Sequence, residues 1–516
     1  MVLLKPLFHG LALLAGVVSA DSLSYSSEIP RYFERQPCSR RNLTAATVQN
    51  ELGPLLSSGA LIFGPENAAW QDATERWNTL ARPTIQVVVQ PALESDVSKI
   101  VKYCNANSIE FLARNRGHGQ VSSLNAFNGL EIEFSQLRDI TIKEGGKSAL
   151  FQGGTYGGQV IQTLWDAGYV TTTGGTPCVG LMGVALGGGH GRYEGLYGLI
   201  SDNFIHLNVV LADGSEVGVN ATSHSDLWWA MKGAGHNFGI VTSVEKEIYP
   251  RGLDTWHFHN YVWSQDKLET VFEEMNKFHK SWNGTTPPRM GVNFGSIVIN
   301  ATYSETEAVL AWGFHYAGSA EEAEELLAPF NAIEALSSEQ GDAPYPVVAG
   351  TTESDCVGGD IVTSTVMTQS YNITTERALY EQFNAKIAQY PELAPSALLW
   401  HEGYSTAAVQ AIPSDSDAYP HREETHLMLF TTTIPEGSDL VDAAEAWAKE
   451  VWDMWNAGQP GRKPKTYVNY SLTHPYETLE ATYGYEPWRL ERLRALKAKY
   501  DRHNKFRYYV PIISEA

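Results

Sequence analysis

A glycine-rich stretch holds the residues of this sequence best suited to chemistry. It reads Arg114-Asn115-Arg116-Gly117-His118-Gly119. Glycines at this density let the backbone turn tightly and bring several N–H groups to one point, which suits a diphosphate. The two arginines would add positive charge, and His118 would be held rigidly beside the ligand. A histidine between glycines also occurs in ordinary turns, so the interpretation depends on the rest of the chain.

Two further glycine clusters have the composition of backbone packed against a flat or extended ligand. They run from Gly174 to Gly191 and from Gly233 to Thr242. Because both mix glycine with apolar residues, we expect them to be buried. The alternative to contact with a ligand is a tight hairpin core. The second cluster lacks the G-x-G-x-x-G pattern and precedes a strand, so a Rossmann site is unsupported. The sequence has no Walker A, HExxH or GxSxG pattern.

Two histidines are the nearest approach to a metal-binding pattern. His257 and His259 alternate along a strand-like run, so they could present one face to a metal ion. No third ligand of fitting spacing stands out. We therefore interpret them as packed or surface histidines and predict no metal site.

A strand–helix–strand unit is predicted in front of the first glycine loop. The pattern indicates a strand over 84–89, a helix over 94–107 and a second strand over 109–113. Further strands are expected over 207–211 and 240–244.

The pattern changes near Arg251. Aromatic strand-like runs such as 256–259 then alternate with helical stretches, which would make an α+β layer. Helices are predicted over 321–327, 441–456 and 487–500.

Length and charge narrow the class of protein. A chain of 516 residues favours two domains. Its formal net charge of -22 argues against nucleic acid or an anionic membrane as the main partner. We expect a monomer.

The first twenty residues are typical of a signal peptide. Lys5 precedes a short apolar run, and Ala20 ends a small-residue cleavage site. No later segment is long and apolar enough to cross a bilayer. We predict a secreted glycoprotein, with glycans at Asn42, Asn220, Asn283, Asn300 and Asn372.

The four cysteines are too few for a disulfide framework. A bridge remains plausible in a secreted protein. We predict a disulfide between Cys38 and Cys104, because both precede the glycine-rich segments, and we expect Cys178 to be free.

Six motifs in order resemble the FAD-linked oxidases of the vanillyl-alcohol oxidase superfamily, and within it the berberine-bridge-enzyme-like branch. They are the stretches at 114–118, 197–203, 210–215, 226–229, 467–470 and 490–506. The resemblance implies a two-domain α+β fold of the PCMH type with an antiparallel substrate-domain sheet. It places the FAD-binding domain at 21–250 (core about 79–250), the substrate domain at 251–464, and a segment at 465–516 that returns to the FAD domain.

The resemblance also assigns the cofactor site. His118 would hold FAD covalently, and the backbone of 114–117 would hold its pyrophosphate. Thr176 stands where many relatives have a second flavin-linked cysteine, so a single covalent link is implied. Val179 stands where relatives gate oxygen access. Besides His118, the implied FAD contacts are Arg114, Asn115, Arg116, Gly117, Gly119, Thr176, Pro177, Val179, Gly180, Gly183, Gly187, Gly188, Gly239, Ile240, Val241 and Asn469.

The implied chemistry is oxidation of an alcohol or amine, in which a base takes a proton while hydride leaves carbon. Relatives draw this base from a C-terminal tyrosine or from a Glu or Gln after a motif matched by Tyr419-Pro420-His421-Arg422. The residues that follow Arg422 offer no such side chain. Tyr470 is therefore our candidate base, with Tyr467 as a second tyrosine and Gln120 as a residue facing the substrate.

The function that follows is an FAD-dependent oxidase. It would oxidise a small organic secondary metabolite by two electrons, as an alcohol oxidation or an oxidative cyclisation, and reduce O2 to H2O2. A secreted oligosaccharide oxidase and a flavin dehydrogenase that does not use O2 are the alternatives.

Overall fold

The computed structural model describes residues 43–513, apart from the side chains of residues 353–355. The predicted signal peptide, Cys38 and Asn42 lie outside this part of the chain.

The N-terminal half forms two main sheets and one small strand pair. The strands are β1 (Leu61–Phe63), β2 (Thr84–Gln90), β3 (Phe111–Arg114), β4 (Asn128–Glu133), β5 (Ile140–Ile142), β6 (Ser148–Gln152), β7 (Tyr169–Val170), β8 (Phe204–Val210), β9 (Glu216–Val219), β10 (Ile240–Glu247) and β11 (Tyr249–Pro250). The first sheet has the order β1-β2-β4-β3, in which β4 pairs in parallel with β2 and β3. The second has the order β5-β6-β10-β8-β9 and is antiparallel, while β7 pairs with β11.

Short helices connect these strands. They are α1 (Ala45–Glu51), α2 (Trp70–Thr74), α3 (Glu94–Ala106), α4 (Gly157–Asp166), α5 (Leu181–Leu186), α6 (Glu194–Tyr197) and α7 (Ser225–Met231). The buried face of α3, which includes Val97, Ile100 and Val101, packs on the first sheet. The predicted strand–helix–strand unit is therefore present, with β3 leading into the first glycine loop.

The C-terminal half is built on one antiparallel sheet with the order β15-β12-β14-β13-β17-β18-β16. Its strands are β12 (Trp256–Trp263), β13 (Met290–Val298), β14 (Val309–Tyr316), β15 (Ser337–Ala343), β16 (Asp360–Thr368), β17 (Leu398–Gly403) and β18 (His426–Ile434). The helices of this region are α8 (Leu268–Phe278), α9 (Ala320–Asn331), α10 (Tyr345–Ala349), α11 (Ile373–Gln389), α12 (Ala407–Gln410) and α13 (Val441–Ala457).

Alternation along the strands gives this sheet two different faces. On β17, Leu399 belongs to the core shared with α8, α9, α11 and α13, whereas Leu398, Trp400 and Glu402 line a cavity on the other side. The predicted α+β layer is thus a sheet with helices on one face and a ligand cavity on the other.

The last segment returns to the N-terminal half, where α14 (Leu479–Tyr483) and α15 (Pro487–Tyr500) pack. Lys497 donates to the carbonyl of Asn237 at 2.7 Å, and the N–H of Ile512 donates to the Asn237 side chain at 2.8 Å.

The α+β fold is confirmed; the domain boundaries at 250 and 464 stay predictions. Within residues 43–513 no helix has the length and apolarity needed to cross a membrane.

The disulfide lies elsewhere than predicted. Cys178 is bonded to Cys356. Among the described residues Cys104 is a free thiol, buried on α3 against the first sheet, where burial raises its pKa. The Cys38–Cys104 pairing and the free Cys178 were therefore wrong predictions. The spacing of cysteines along the chain carries no information on which loops meet in space.

Candidate active site

The candidate site is a cavity of about 1310 Å³ between the three glycine clusters and the open face of the seven-stranded sheet. All six residues from Arg114 to Gly119 line it. Thr176, Val179, Gly180 and Gly183 come from the second cluster, and Gly239, Ile240 and Val241 from the third. The three motifs, distant in sequence, thus share one cavity.

The first glycine loop follows the end of β3 and depends on its glycines. Gly117 has φ of 72°, a left-handed conformation that favours glycine, and a Cβ there would lie 2.5 Å from the carbonyl of Glu75. The arginine side chains already have partners. Arg114 pairs with Glu133 at 3.4 Å, and Nε of Arg116 donates to the Cys178 carbonyl at 3.1 Å. Both guanidinium groups therefore lie close to the loop but are already paired with protein atoms.

His118 is a half-buried, neutral imidazole in the cavity wall. Burial, reinforced by the charges of Arg116 and Arg114, lowers its pKa to about 4. Its Nε2 lies 3.5 Å from Sγ of Cys178, and its ring stacks on Trp77 with centroids 6.1 Å apart. Nδ1 has no partner of normal hydrogen-bond geometry among the described residues. A neutral, unprotonated ring nitrogen is the form that can make a bond to a ligand.

Three residues assigned to the cofactor from the sequence do not line the cavity; they support its wall from behind. The carbonyl of Pro177 accepts from the N–H of Gly158 at 2.6 Å, which ties the second glycine cluster to α4. A Cβ on Gly187 would lie 2.3 Å from Oδ1 of Asn469, and one on Gly188 would lie 2.6 Å from the ring of Tyr419. Glycine at positions 187 and 188 thus allows these backbone segments to pack closely against other parts of the protein.

The cavity fits FAD because its wall combines glycine backbone with unsatisfied polar atoms. Gly183 lines it, and a Cβ there would meet no atom within 4 Å. Several lining residues have a buried polar atom without a partner in the described part of the chain, and such atoms are costly unless a ligand satisfies them. They are Asn115 Oδ1, His118 Nδ1, Gln120 Oε1, His236 Nδ1 and Asn469 Oδ1.

Tyr470 and Glu402 meet in the wall of this cavity. The Tyr470 hydroxyl donates to Oε1 of Glu402 at 2.9 Å. The carboxylate also accepts from Nε1 of Trp400 at 3.0 Å and from the hydroxyl of Tyr404 at 3.1 Å. Burial raises the pKa of Glu402 to about 7, although these hydrogen bonds act in the opposite direction. The Glu402 carboxyl can therefore gain or lose a proton near neutral pH.

The other two catalytic candidates support Tyr470. Gln120 lines the cavity, and its Nε2 donates to the backbone carbonyl of Tyr470 at 3.1 Å. Tyr467 is buried, and its hydroxyl accepts from Asn469 Nδ2 at 2.7 Å and from the N–H of His190 at 3.3 Å. Burial raises the Tyr467 pKa, so this hydroxyl stays protonated. Both residues lie at the site. Of the three catalytic candidates, only Tyr470 makes a hydrogen bond to a carboxylate.

Glu402 is the residue that sequence reasoning missed. It lies on β17, whereas the search for a carboxylate covered the residues after Arg422, which form β18 beside it. The feature of the sequence that could have pointed to this residue is a glutamate inside the largely apolar strand Leu398–Gly403. A charged residue in such a strand needs a buried partner, which here is Tyr470.

The predicted glycosylation sites differ in their surroundings. Asn283 is exposed in a turn. Asn300 is half-buried at the cavity mouth. The side-chain amide of Asn372 donates to the Gly458 carbonyl at 2.9 Å, and that of Asn220 contacts His206 Nδ1 at 3.0 Å. Asn283 is therefore the described site whose amide is most accessible.

Comparison with known proteins identifies the class. Residues 85–220 match the FAD binding domain family. The chain is 63% identical to FAD-linked oxidoreductase iacH of Pestalotiopsis fici over 98% of both chains. The solved structure of Physcomitrella patens BBE-like 1 superposes with a TM-score of 0.77 at 19% identity, covering 90% of this chain and 99% of that one. Glucooligosaccharide oxidase from Acremonium strictum, with a 6-S-cysteinyl, 8α-N1-histidyl FAD, gives the same TM-score at 19% identity, covering 91% and 99%.

The chain belongs to the FAD-linked oxidoreductases, and it shares its fold with the BBE-like and oligosaccharide oxidase structures. It is an oxidoreductase, and its fold is the two-domain PCMH type.

Proposed function

We propose that this protein is an oxidase that removes two electrons from a small, largely apolar organic molecule, by alcohol oxidation or oxidative cyclisation, and passes them to O2 with release of H2O2. The observation that carries the proposal is the Tyr470–Glu402 pair in the same cavity as His118. One end of the cavity offers a proton acceptor, and the other offers the cofactor loop.

His118 is proposed to hold FAD by a single covalent bond. Its neutral ring, its position in the wall and the unsatisfied polar atoms around it support this assignment. Cys178 supports it in another way, because its sulfur is engaged with Cys356 and is not available for a second link. The bound flavin would supply the hydride acceptor and the route of the electron pair to O2.

Tyr470 is proposed to take the proton of the reacting hydroxyl or amine. In the ionised form Glu402 accepts the proton of Tyr470, so that the phenolic oxygen can take up the substrate proton. Gln120 holds the backbone of Tyr470 and fixes the direction of its ring. Because the pKa of Glu402 lies near 7, the relay works above this pH and is blocked below it.

The walls beyond Tyr470 support an apolar substrate. The open face of the sheet contributes Phe294, Leu398, Trp400 and Leu429 to the cavity. Apolar and aromatic walls stabilise a hydrophobic ring system by burial. The same wall also carries polar side chains, among them Ser396, Thr431 and Thr433, so an oligosaccharide is the second candidate. It is kept because solved oligosaccharide oxidases share the fold.

Two further expectations belong to this proposal. Val179 lines the cavity beside the flavin loop, and a small side chain there supports O2 as the electron acceptor. We also propose a secreted, monomeric glycoprotein, on the basis of the N-terminal pattern and the exposed Asn283.

The decisive experiment combines reoxidation with a substrate screen. Dithionite-reduced protein is exposed to air, and the return of the flavin absorbance is followed together with H2O2. Aromatic and polyketide-like alcohols and oligosaccharides are then screened for H2O2 release. We expect rapid reoxidation and turnover of the apolar alcohols. Protein that stays reduced in air would identify a dehydrogenase, and turnover of sugars alone would identify a carbohydrate oxidase.

A further inference from the structure

We propose a second binding site in this protein, for one Zn²⁺ ion held by His257, His259 and Glu324. The three candidate ligand atoms lie within 4.8 Å of one another. None of these residues lines the flavin cavity, so the site is separate from the oxidase chemistry.

The strand β12 brings the two histidines together. His257 and His259 are two residues apart, so both project from the same side of the strand. Each is 2% exposed. Glu324 comes from the first half of α9, and its Oε1 lies 2.8 Å from Nε2 of His257 and 2.7 Å from Nδ1 of His259. Two buried imidazoles thus converge on one carboxylate oxygen. The Tyr261 hydroxyl lies 2.9 Å from the same Nδ1 of His259 and must move aside for an ion.

The outer atoms of all three ligands are anchored, as in established zinc sites. A zinc-binding histidine nearly always has its second ring nitrogen held by a carboxylate, carbonyl or water, which fixes the ring. Here each ligand has such a contact on the side away from the other two. The contacts are His257 Nδ1 to Asp342 Oδ1 at 2.8 Å, His259 Nε2 to Ser338 Oγ at 2.7 Å, and Asn331 Nδ2 donating to Glu324 Oε2 at 2.8 Å.

The donor set selects the ion. Two imidazole nitrogens and one carboxylate oxygen, with a water as the fourth ligand, suit Zn²⁺ better than Mg²⁺ or Ca²⁺, which prefer oxygen ligands. Ligand atoms around tetrahedral Zn²⁺ stand about 3.4 Å apart, so Glu324 must withdraw by about half an ångström. The two imidazole nitrogens, which lie within 4.8 Å of each other, must reach the same spacing. Its side chain is 25% exposed and that of Asp342 is 52% exposed, which leaves room for this shift and a path for the ion.

A bound ion would fasten the edge of the sheet. β15 is an edge strand that pairs only with β12 in the sheet order, and it contributes Ser338 and Asp342 to the outer contacts. Zn²⁺ would link β12 to α9 directly and β15 to both through these contacts. The expected role is structural, because edge strands are otherwise prone to open or to pair with other chains.

Calorimetric titration of the flavin-loaded enzyme tests the site. The protein is treated with chelator, dialysed and titrated with ZnCl2, and its thermal midpoint is measured with and without the ion. We expect one tight equivalent and a midpoint several degrees higher. Glu324→Gln and His259→Gln should lose the tight equivalent, whereas His503→Gln, which removes an exposed histidine elsewhere, should keep it. Ser338→Ala, which retains all three ligands, should bind about tenfold more weakly or worse.

Two outcomes would overturn the assignment. One is Zn²⁺ binding that is weak and equal in the parent enzyme, Glu324→Gln and His503→Gln. The other applies if the ligand variants do not fold, as judged by near-ultraviolet circular dichroism and flavin absorbance: an unchanged Zn²⁺ affinity in Ser338→Ala would then exclude the site.

Discussion

The hydroxyl of Tyr470 donates a 2.9 Å hydrogen bond to Glu402, although the two residues are 68 positions apart in the chain. Tyr470 lies in the segment that returns to the N-terminal half, and Glu402 lies on β17 of the seven-stranded sheet. The proposed proton acceptor is therefore assembled only where the two halves meet.

Removal of the Tyr470 hydroxyl should leave a flavin-loaded but slow enzyme. We expect Tyr470→Phe to lower kcat/KM by about 10²- to 10⁴-fold, the usual range for a lost general base. Flavin absorbance should be unchanged, because the ring and its packing remain. Steady-state H2O2 assays measure the effect. Tyr485→Phe is the matched control, since its hydroxyl donates to the Pro464 carbonyl outside the cavity; an equal loss in both variants would count against the assignment.

Glu402 should set the pH dependence of turnover. Burial raises its pKa to about 7, so the base form is lost as pH falls through this value. We expect kcat/KM to rise between about pH 6 and pH 8 and then level off. In Glu402→Gln the rate should be low and should not rise over the same range. Glu477→Gln offers a comparison, because that buried carboxyl also has a raised pKa but lies outside the cavity; it should keep the parent profile.

The covalent link can be seen without a substrate. When the parent protein is precipitated with acid, the yellow colour should stay in the pellet. His118→Ala should release its flavin to the supernatant, and His503→Ala should behave like the parent. A colourless parent pellet from a yellow solution would refute the bond to His118, and colour retained by His118→Ala would show attachment at another residue.

The disulfide should stabilise the whole enzyme. Cys178 and Cys356 are 178 residues apart, and a cross-link over such a loop is worth up to about 5 kcal/mol in the chain-entropy model. We expect Cys178→Ser with Cys356→Ser to lower the thermal midpoint by several degrees and to reduce the fraction of protein that carries flavin, because Cys178 contacts both Arg116 and His118. Cys104→Ser is the control for loss of a buried thiol. A midpoint unchanged in the double variant would contradict this expectation.

Local pattern was sufficient for much of the fold. The helix α15 was predicted with its observed bounds, and β2 and α3 to within one residue, because apolar periodicity and the flanking residues are short-range signals. The wall of the cavity followed from its glycines, since a backbone that must approach a ligand or another loop closely leaves a direct trace in the sequence.

Contacts between residues far apart in the chain could not be predicted from the sequence. Glu402 was missed because nothing along the chain shows that β17 lies beside β18, and Glu324 was missed as a partner of His257 because it comes from a helix 67 residues later. The wrong disulfide has the same origin. Such pairs depend on the order of strands and the docking of loops, which a single sequence does not encode locally.

The return of residues 465–513 to the N-terminal half has a consequence for synthesis. Asn469, Tyr470, Tyr508 and Tyr509 complete the cavity wall, and these residues leave the ribosome after the rest of the site. When all three glycine clusters of a nascent chain have been synthesised, one side of the cavity wall is still missing. Loading with cofactor must therefore wait until translation is nearly finished.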